Sequence, residues 1–223
     1  MYFSIIKLQR GLSPRDITDL SNHNGYQAHQ LVWQMFADHP ARQRDFIYRN
    51  ETGNGAPIFY TVSEREPIGN SEIWSVLTKE YKPKLHSGQL LGFTLRTNPI
   101  RARRDENGKQ QRHDVIMEAK LKLKKEGKDF DVPDIVQNNG LQWLEERAIT
   151  HGFRMVSNSV RVDGYQQHRF FKRKGNNPIS LSTVDFNGIL TVTEPGVFIE
   201  KCLFEGIGHA KGFGCGLMLV RRV

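Results

Sequence analysis

Cysteine is almost missing from this chain. Cys202 and Cys215 are the only two among 223 residues, and they stand in no metal-ligand spacing. That excludes a disulfide framework, fits a reducing cytoplasm, and leaves both thiols as small packing residues. Long apolar runs are missing too: none approaches the ~18–20 residues that cross a bilayer. The opening Met1-Tyr2-Phe3-Ser4-Ile5-Ile6-Lys7-Leu8 has no basic start and no small-residue cleavage site, so it reads as a strand and not a signal peptide. A cytoplasmic protein with no membrane partner is expected. A compact carboxylate cluster is likewise lacking. Asp16 and Asp19, and Asp129, Asp131 and Asp134, fall in loop-like or helix-flanking stretches, as caps or solvated charges. Two-metal chemistry needs such a cluster, so no metal is expected.

What is abundant is positive charge, unevenly placed. Lys and Arg number 32 against 24 Asp and Glu, a net +8. Residues 101–128 alone carry ten basic and five acidic side chains, and residues 161–175 carry five and one. The remainder of the chain is close to neutral. Excess charge gathered in two segments, with aromatics and amides interleaved, is the footprint of a polyanion and most often of nucleic acid. A solvated basic face is the plainer alternative.

Hydrophobic content of 38% and charged content of 25% describe a globular chain, long enough for one large or two small domains. The pattern divides near residue 88. In the first part, Ala28, Leu31, Val32 and Met35 recur at helical spacing, and the spacing predicts a helix from Asn24 or Gly25 to about Asp38, stopped by Pro40. Residues 1–8, Phe46-Ile47-Tyr48, Ile58–Val62 and Trp74–Tyr81 read as strands, the middle two around a Gly53-Asn54-Gly55 turn. The second part restarts the pattern. Leu90–Asn98 is a strand, Arg101–His113 a basic excursion turning at Glu106-Asn107-Gly108, and Glu118–Lys125 a Lys-rich helix. A helix over Leu141–Thr150 follows, with Gly152 as its C-cap. Phe153–Val162 and Tyr165–Lys172 form a strand pair around Asp163-Gly164. Phe186–Val192 is a strand, Pro195–Leu203 a helix and Leu217–Val220 the last strand. Two successive β-α-β-β-α-β-like units predict an α+β protein of two tandem ferredoxin-like (RRM-like) domains, 1–87 and 88–223, with antiparallel sheets backed by helices. No sequence repeat links the halves. No RNP-type aromatic consensus marks either as an RRM, which weakens the reading as a non-catalytic RNA-binding module.

Glycine is concentrated near the end, in Gly206-Ile207-Gly208-His209-Ala210-Lys211-Gly212-Phe213-Gly214-Cys215-Gly216. Two Gly-apolar-Gly units frame a five-residue spacer. Such a segment lets backbone amides approach an anion closely, or simply permits tight packing. A dinucleotide fingerprint has its glycines after a strand and opening a helix. Here helix precedes and strand follows, so a nucleotide-binding metabolic enzyme is disfavoured and no small-molecule cofactor is expected.

This glycine arrangement resembles the signature of the CRISPR repeat-processing endoribonucleases, and specifically the CasE subunit family of type I-E Cascade. Further resemblances run along most of the chain: Met1-Tyr2-Phe3-Ser4, Tyr26-Gln27-Ala28-His29-Gln30 with Trp33, Arg44-Asp45-Phe46, Leu95-Arg96-Thr97-Asn98-Pro99, Trp143-Leu144-Glu145 with Gly152-Phe153-Arg154, and Phe186-Asn187-Gly188-Ile189-Leu190. The resemblance implies the same double fold. It also implies metal-independent cleavage of CRISPR precursor RNA within the repeat, at the 3′ base of its hairpin. The partners it implies are that RNA hairpin, retained after cutting, and the other Cascade subunits.

Tyr26 and His29 lie three apart and so share one edge of the first helix, bordering its apolar stripe, with Trp33 a turn further on. On residues alone this is a half-buried histidine beside aromatics. The resemblance makes His29 the catalytic histidine and Tyr26 its partner. RNA supplies its own nucleophile, the ribose 2′-hydroxyl, and an imidazole titrating near neutrality can take or give the proton. The resemblance also puts a cation of the Lys172, Arg173, Lys174 cluster near the scissile phosphate. Arg173 is favoured for its planar fork, with Lys172 beside it. Gln34 stands where some relatives carry a positive charge. For RNA binding, the candidates are Arg101, Arg103, Arg104, Lys109, Arg112 and His113 on the excursion, with Arg169, Lys174 and Lys211. Gly206, Gly208, Gly212, Gly214 and Gly216 would add backbone contacts to RNA or support the first helix.

Overall fold

The computed structural model describes residues 1–12, 25–36, 44–69, 71–170 and 178–223. Strands β1 (Tyr2–Leu8), β2 (Phe46–Gly53), β3 (Ala56–Ser63) and β4 (Trp74–Glu80) form one antiparallel sheet in the order β2-β3-β1-β4. That is the ferredoxin-like order. Asn54 and Gly55 both take positive φ between β2 and β3, which gives a two-residue turn of the primed kind that matches strand twist. Strand alternation then assigns the two faces. Ile6, Phe46, Tyr48, Phe59 and Trp74 form a core with Ala28 and Val32 of helix α1 (Gly25–Gln34), followed by Met35 and Phe36. The predicted helix thus ends earlier than Asp38, which lies with Ser13, Pro14 and Pro40 outside the described residues. Among the described residues between β3 and β4 there is no second helix; α1 covers one face of this sheet, and the opposite face, with Phe3, Ile47, Tyr60 and Val62, is left for something else to cover.

The second half covers it. Strands β5 (Leu90–Thr97), β8 (Phe153–Met155), β9 (Arg161–Phe170), β10 (Ile179–Val192) and β11 (Met218–Arg222) form a sheet ordered β11-β5-β10-β8, with β9 also on β10. The order is again ferredoxin-like. One face packs on helix α3 (Val132–Ala148) and on a C-terminal helical segment through Leu95, Trp143, Leu144, Phe186, Phe198 and Leu203. The opposite faces of the two sheets turn towards each other. Ile47 and Val62 from the first meet Leu217 from the second, with Phe3, Tyr60, Phe204 and Leu219 around them. Between β5 and α3 the chain inserts a hairpin, β6 (Ile100–Arg104) with β7 (Gln110–Asp114), and helix α2 (Val115–Lys125). This is the predicted basic excursion, and it is ordered by its own ladder. Asp114 caps α2 by accepting from the Ile116 and Met117 amides at 2.8 and 3.0 Å.

Three sequence expectations change. Asp163-Gly164 is no hairpin turn but lies inside β9, where the register against β10 shifts between Thr183 and Asp185. A glycine at φ +63° suits a β-bulge as well as a turn, so the dipeptide alone does not choose. Strand β9 pairs antiparallel with β10, Phe170 opposite Ile179, and residues 171–177 between them lie outside the described residues. Helix α3 starts at Val132, nine residues before the expected Leu141, because Pro133 sits in its first turn, where a missing N–H costs nothing. The Pro195–Leu203 helix has only a short α turn, Pro195–Val197, before widening into a π-helix over Phe198–Phe204.

Candidate active site

The glycine segment closes on itself. Ile207 donates its amide to the Gly216 carbonyl at 2.9 Å, and Gly216 donates to Arg96 at 2.7 Å. Gly206, Gly208, Gly214 and Gly216 all have positive φ. A Cβ on Gly206 would sit 2.8 Å from the Gly216 carbonyl oxygen, and one on Gly216 would sit 2.9 Å from that of Ile207. The two Gly-apolar-Gly units therefore clasp one another and push the five residues between them outward as a tip. Gly206→Ala should force this clasp apart and cost about 2–4 kcal/mol, from strain at positive φ plus a backbone clash. A fall in the thermal midpoint checks it, whereas an unchanged midpoint means the clasp adds nothing.

The tip reaches the first helix. His29 stacks on Phe213 with ring centroids 5.6 Å apart and leans on Trp33 at 5.7 Å. A Cβ on Gly212 would come within 3.6 Å of the imidazole and 3.1 Å of the Arg44 guanidinium, so the backbone here passes close between the two side chains. Tyr48, buried on β2, donates its hydroxyl to the Gly212 carbonyl at 3.1 Å and holds the tip down. Burial pushes the His29 pKa below its usual 6.5; a backbone hydrogen bond with Gly212 pulls back, and the charge of Arg44 lowers it further. Lys211, half-buried at the same tip, is also lowered by burial and then by Arg44, against Glu205. A mostly neutral imidazole thus stands at the junction of the domains, framed by aromatic rings with the Arg44 cation beside it.

The aromatic contacts continue into the second domain. Phe213 stacks on Phe170 at 5.9 Å and 7°, and Phe170 on His168 at 5.7 Å and 19°. His168 in turn bonds Thr183 at 2.9 Å. The His29 ring is therefore neither isolated nor sealed among aliphatic side chains.

A model of the family described as CRISPR associated protein matches residues 1–222. The chain belongs to the CRISPR-associated protein family. It is 28% identical over 226 residues to the CRISPR system Cascade subunit CasE of Escherichia coli (strain K12), covering 98% of each chain. The CasE resemblance read from the sequence is borne out. Crystallographic Cas6e from Escherichia coli str. K-12 superposes with a TM-score of 0.63 at 25% identity, over 100% of both chains. Thermus thermophilus Cse3 bound to an RNA representing a pre-cleavage complex gives a TM-score of 0.67 at 24% identity, over 99% of this chain and 100% of that one. The tandem ferredoxin-like fold is shared with these members of the family.

The other expected site residues of this CRISPR-associated chain distribute as follows. Tyr26 lies in α1, its side chain outside the described residues, as are Lys172, Arg173 and Lys174 altogether. On the excursion, Arg101 is paired with Glu146 of α3 and Arg103 with Glu118 of α2. Arg104 and Lys109 are exposed near the hairpin end. Arg112, with His113 next to it, lines one groove with His209, whose pKa is lowered first by burial and then by the Arg112 charge. Arg169 lies on β9, between His168 and Phe170 in the chain. Sequence reasoning missed two participants, Arg44 and Phe213. Both lay inside quoted motifs, but only the loop's closure shows that they reach His29.

Proposed function

We propose that this protein is the endoribonuclease subunit of a Cascade-type assembly, cutting CRISPR precursor RNA at the 3′ base of the repeat hairpin and keeping the product. The observation that carries the reading is His29: a half-buried imidazole, kept below its ordinary pKa, held by the glycine tip beside Arg44 in a CasE-like chain. A neutral imidazole can accept the proton of the ribose 2′-hydroxyl. The 2′-oxygen then attacks phosphorus, the P–O5′ bond breaks, and the departing oxygen takes a proton, with Tyr26 as its source. The products are a 2′,3′-cyclic phosphate and a 5′-hydroxyl. Arg44, with the 172–174 cluster, would stabilise charge on the phosphate. Because the nucleophile belongs to the substrate, no metal-activated water is required.

Incubating the protein with a repeat hairpin in EDTA should yield a shortened RNA ending in a cyclic phosphate. A 2′-deoxy nucleotide before the cut should stop the reaction. Cleavage of the deoxy substrate would remove the internal nucleophile. A hairpin bound tightly but left intact would favour a non-catalytic RNA-binding subunit.

A further inference from the structure

A groove of about 580 Å³ opens beside Phe213, between the glycine tip, the β9–β10 pair and the base of the β6–β7 hairpin. Its volume falls within the roughly 300–1,000 Å³ of small-ligand sites. Phe213, His168 and His209 line it with aromatic rings, the first two already stacked on Phe170, and Arg112 and Arg169 line it as cations. The pKa of both histidines is lowered, chiefly by burial, so near neutrality they present uncharged rings. The one carboxylate on its wall among the described residues, Asp114, is already engaged. One oxygen caps α2 and the other accepts from the Tyr165 hydroxyl at 2.8 Å. Flat rings together with guanidinium groups suit a base and its phosphate.

We infer that this groove seats the unpaired nucleotide on the leaving-group side of the cleaved bond. The inference rests on the proposed hairpin cleavage. A nucleotide 5′ of the cut belongs to the stem, and a paired, stacked base cannot enter so small a recess. Its 3′ neighbour is single-stranded and can be splayed out onto an aromatic surface. Phe213 touches the candidate catalytic ring and also walls the groove, so a base lodged there places the next phosphate beside His29. The seat would fix the leaving oxygen in line and be emptied by the reaction, whereas the stem contacts persist in the product.

The test compares uncleavable 2′-deoxy hairpins that end at the cut with others carrying two unpaired nucleotides beyond it, and a third set abasic at the first of these. Wild type should bind the flanked hairpin about ten-fold more tightly than the blunt one, a ratio typical of one aromatic–base stack. The abasic flank should lose most of that gain. Ser180→Trp, which fills the groove, and Arg112→Gln should each reduce the flanked-to-blunt ratio towards one. Reading a ratio within each variant cancels any general loss of stem affinity. Equal binding of flanked and blunt hairpins by wild type overturns the seat while the hairpin reading stands. A preference untouched by both variants also overturns it, since the flank then lies elsewhere. Failure to bind either hairpin defeats the hairpin reading and the seat with it.

Discussion

His29→Ala should slow cleavage of a repeat hairpin by about 10²–10⁴-fold, the usual worth of a positioned proton acceptor. Hairpin affinity should stay nearly unchanged, because the basic surface of the β6–β7 hairpin and α2 belongs to the second domain and does not depend on the ring. Removing the imidazole also strips a packing partner from Trp33 and Phe213, so His29→Gln serves as the shape-keeping companion. If both variants lose affinity and cleavage together, His29 is a packing residue. The pH dependence has a defined sign. The folded pKa of His29 lies below 6.5, so the proton-accepting form already predominates at neutrality. Wild-type cleavage should be flat above about pH 6.5 and fall as pH drops through the lowered value. The same shift makes unfolded chains take up the proton first, so His29 also contributes acid sensitivity to stability below about pH 6.5. A rate that rises on acidification would instead make the imidazolium the active form.

How far the sequence revealed this arrangement depends on the range of the interaction. The first sheet was legible because its strands alternate with period two and Asn54-Gly55 is a turn with one dominant geometry. Helix α1 was legible through Ala28, Leu31 and Val32. Asp163-Gly164 misled, because φ > 0 is equally at home in a bulge and a hairpin, and the neighbouring register at Asp185 decides between them. At the site, the residue type and position of His29 were available from its motif, but its environment was not. Phe213 is 184 residues away along the chain, and it meets the ring only because two glycine pairs, each strained for any other residue, close the loop beneath it. Arg44 was quoted as part of a motif without its role, since nothing in Arg44-Asp45-Phe46 announces that Gly212 will pass alongside. The basic excursion grouped Arg101 and Arg103 with the candidate RNA-binding cations; the fold adds that they pair with Glu146 and Glu118. Composition records a charge but not its partner.

Asp185→Ala should destabilise the fold at a point distant from the chemistry. Its carboxylate takes both arms of the Arg96 guanidinium at 2.9 Å and lies 4.0 Å from Arg49, whose side chain is only 8% exposed. Arg96 also donates to the Asn50 carbonyl on β2 at 2.9 Å, so the cluster ties the first sheet to the second. Glu51 is then the carboxylate left to it, bonded to Arg49 and 4.0 Å from Arg96. Deleting one partner of a fully buried pair costs roughly 3–5 kcal/mol because the remaining charge stays unsolvated. Arg96 is 30% exposed and can partly rehydrate, so about 2–3 kcal/mol is expected. For a chain of this length that lowers the thermal midpoint by about 5–10 °C. Asp185→Asn, which keeps an acceptor but no charge, should fall between. Cleavage should suffer more than hairpin affinity, because His29 belongs to one sheet's helix and Phe213 to the other domain's loop, and only their mutual alignment makes a site. An unaltered midpoint in Asp185→Ala would show that the apolar contact around Ile47, Val62 and Leu217 holds the domains together without this cluster.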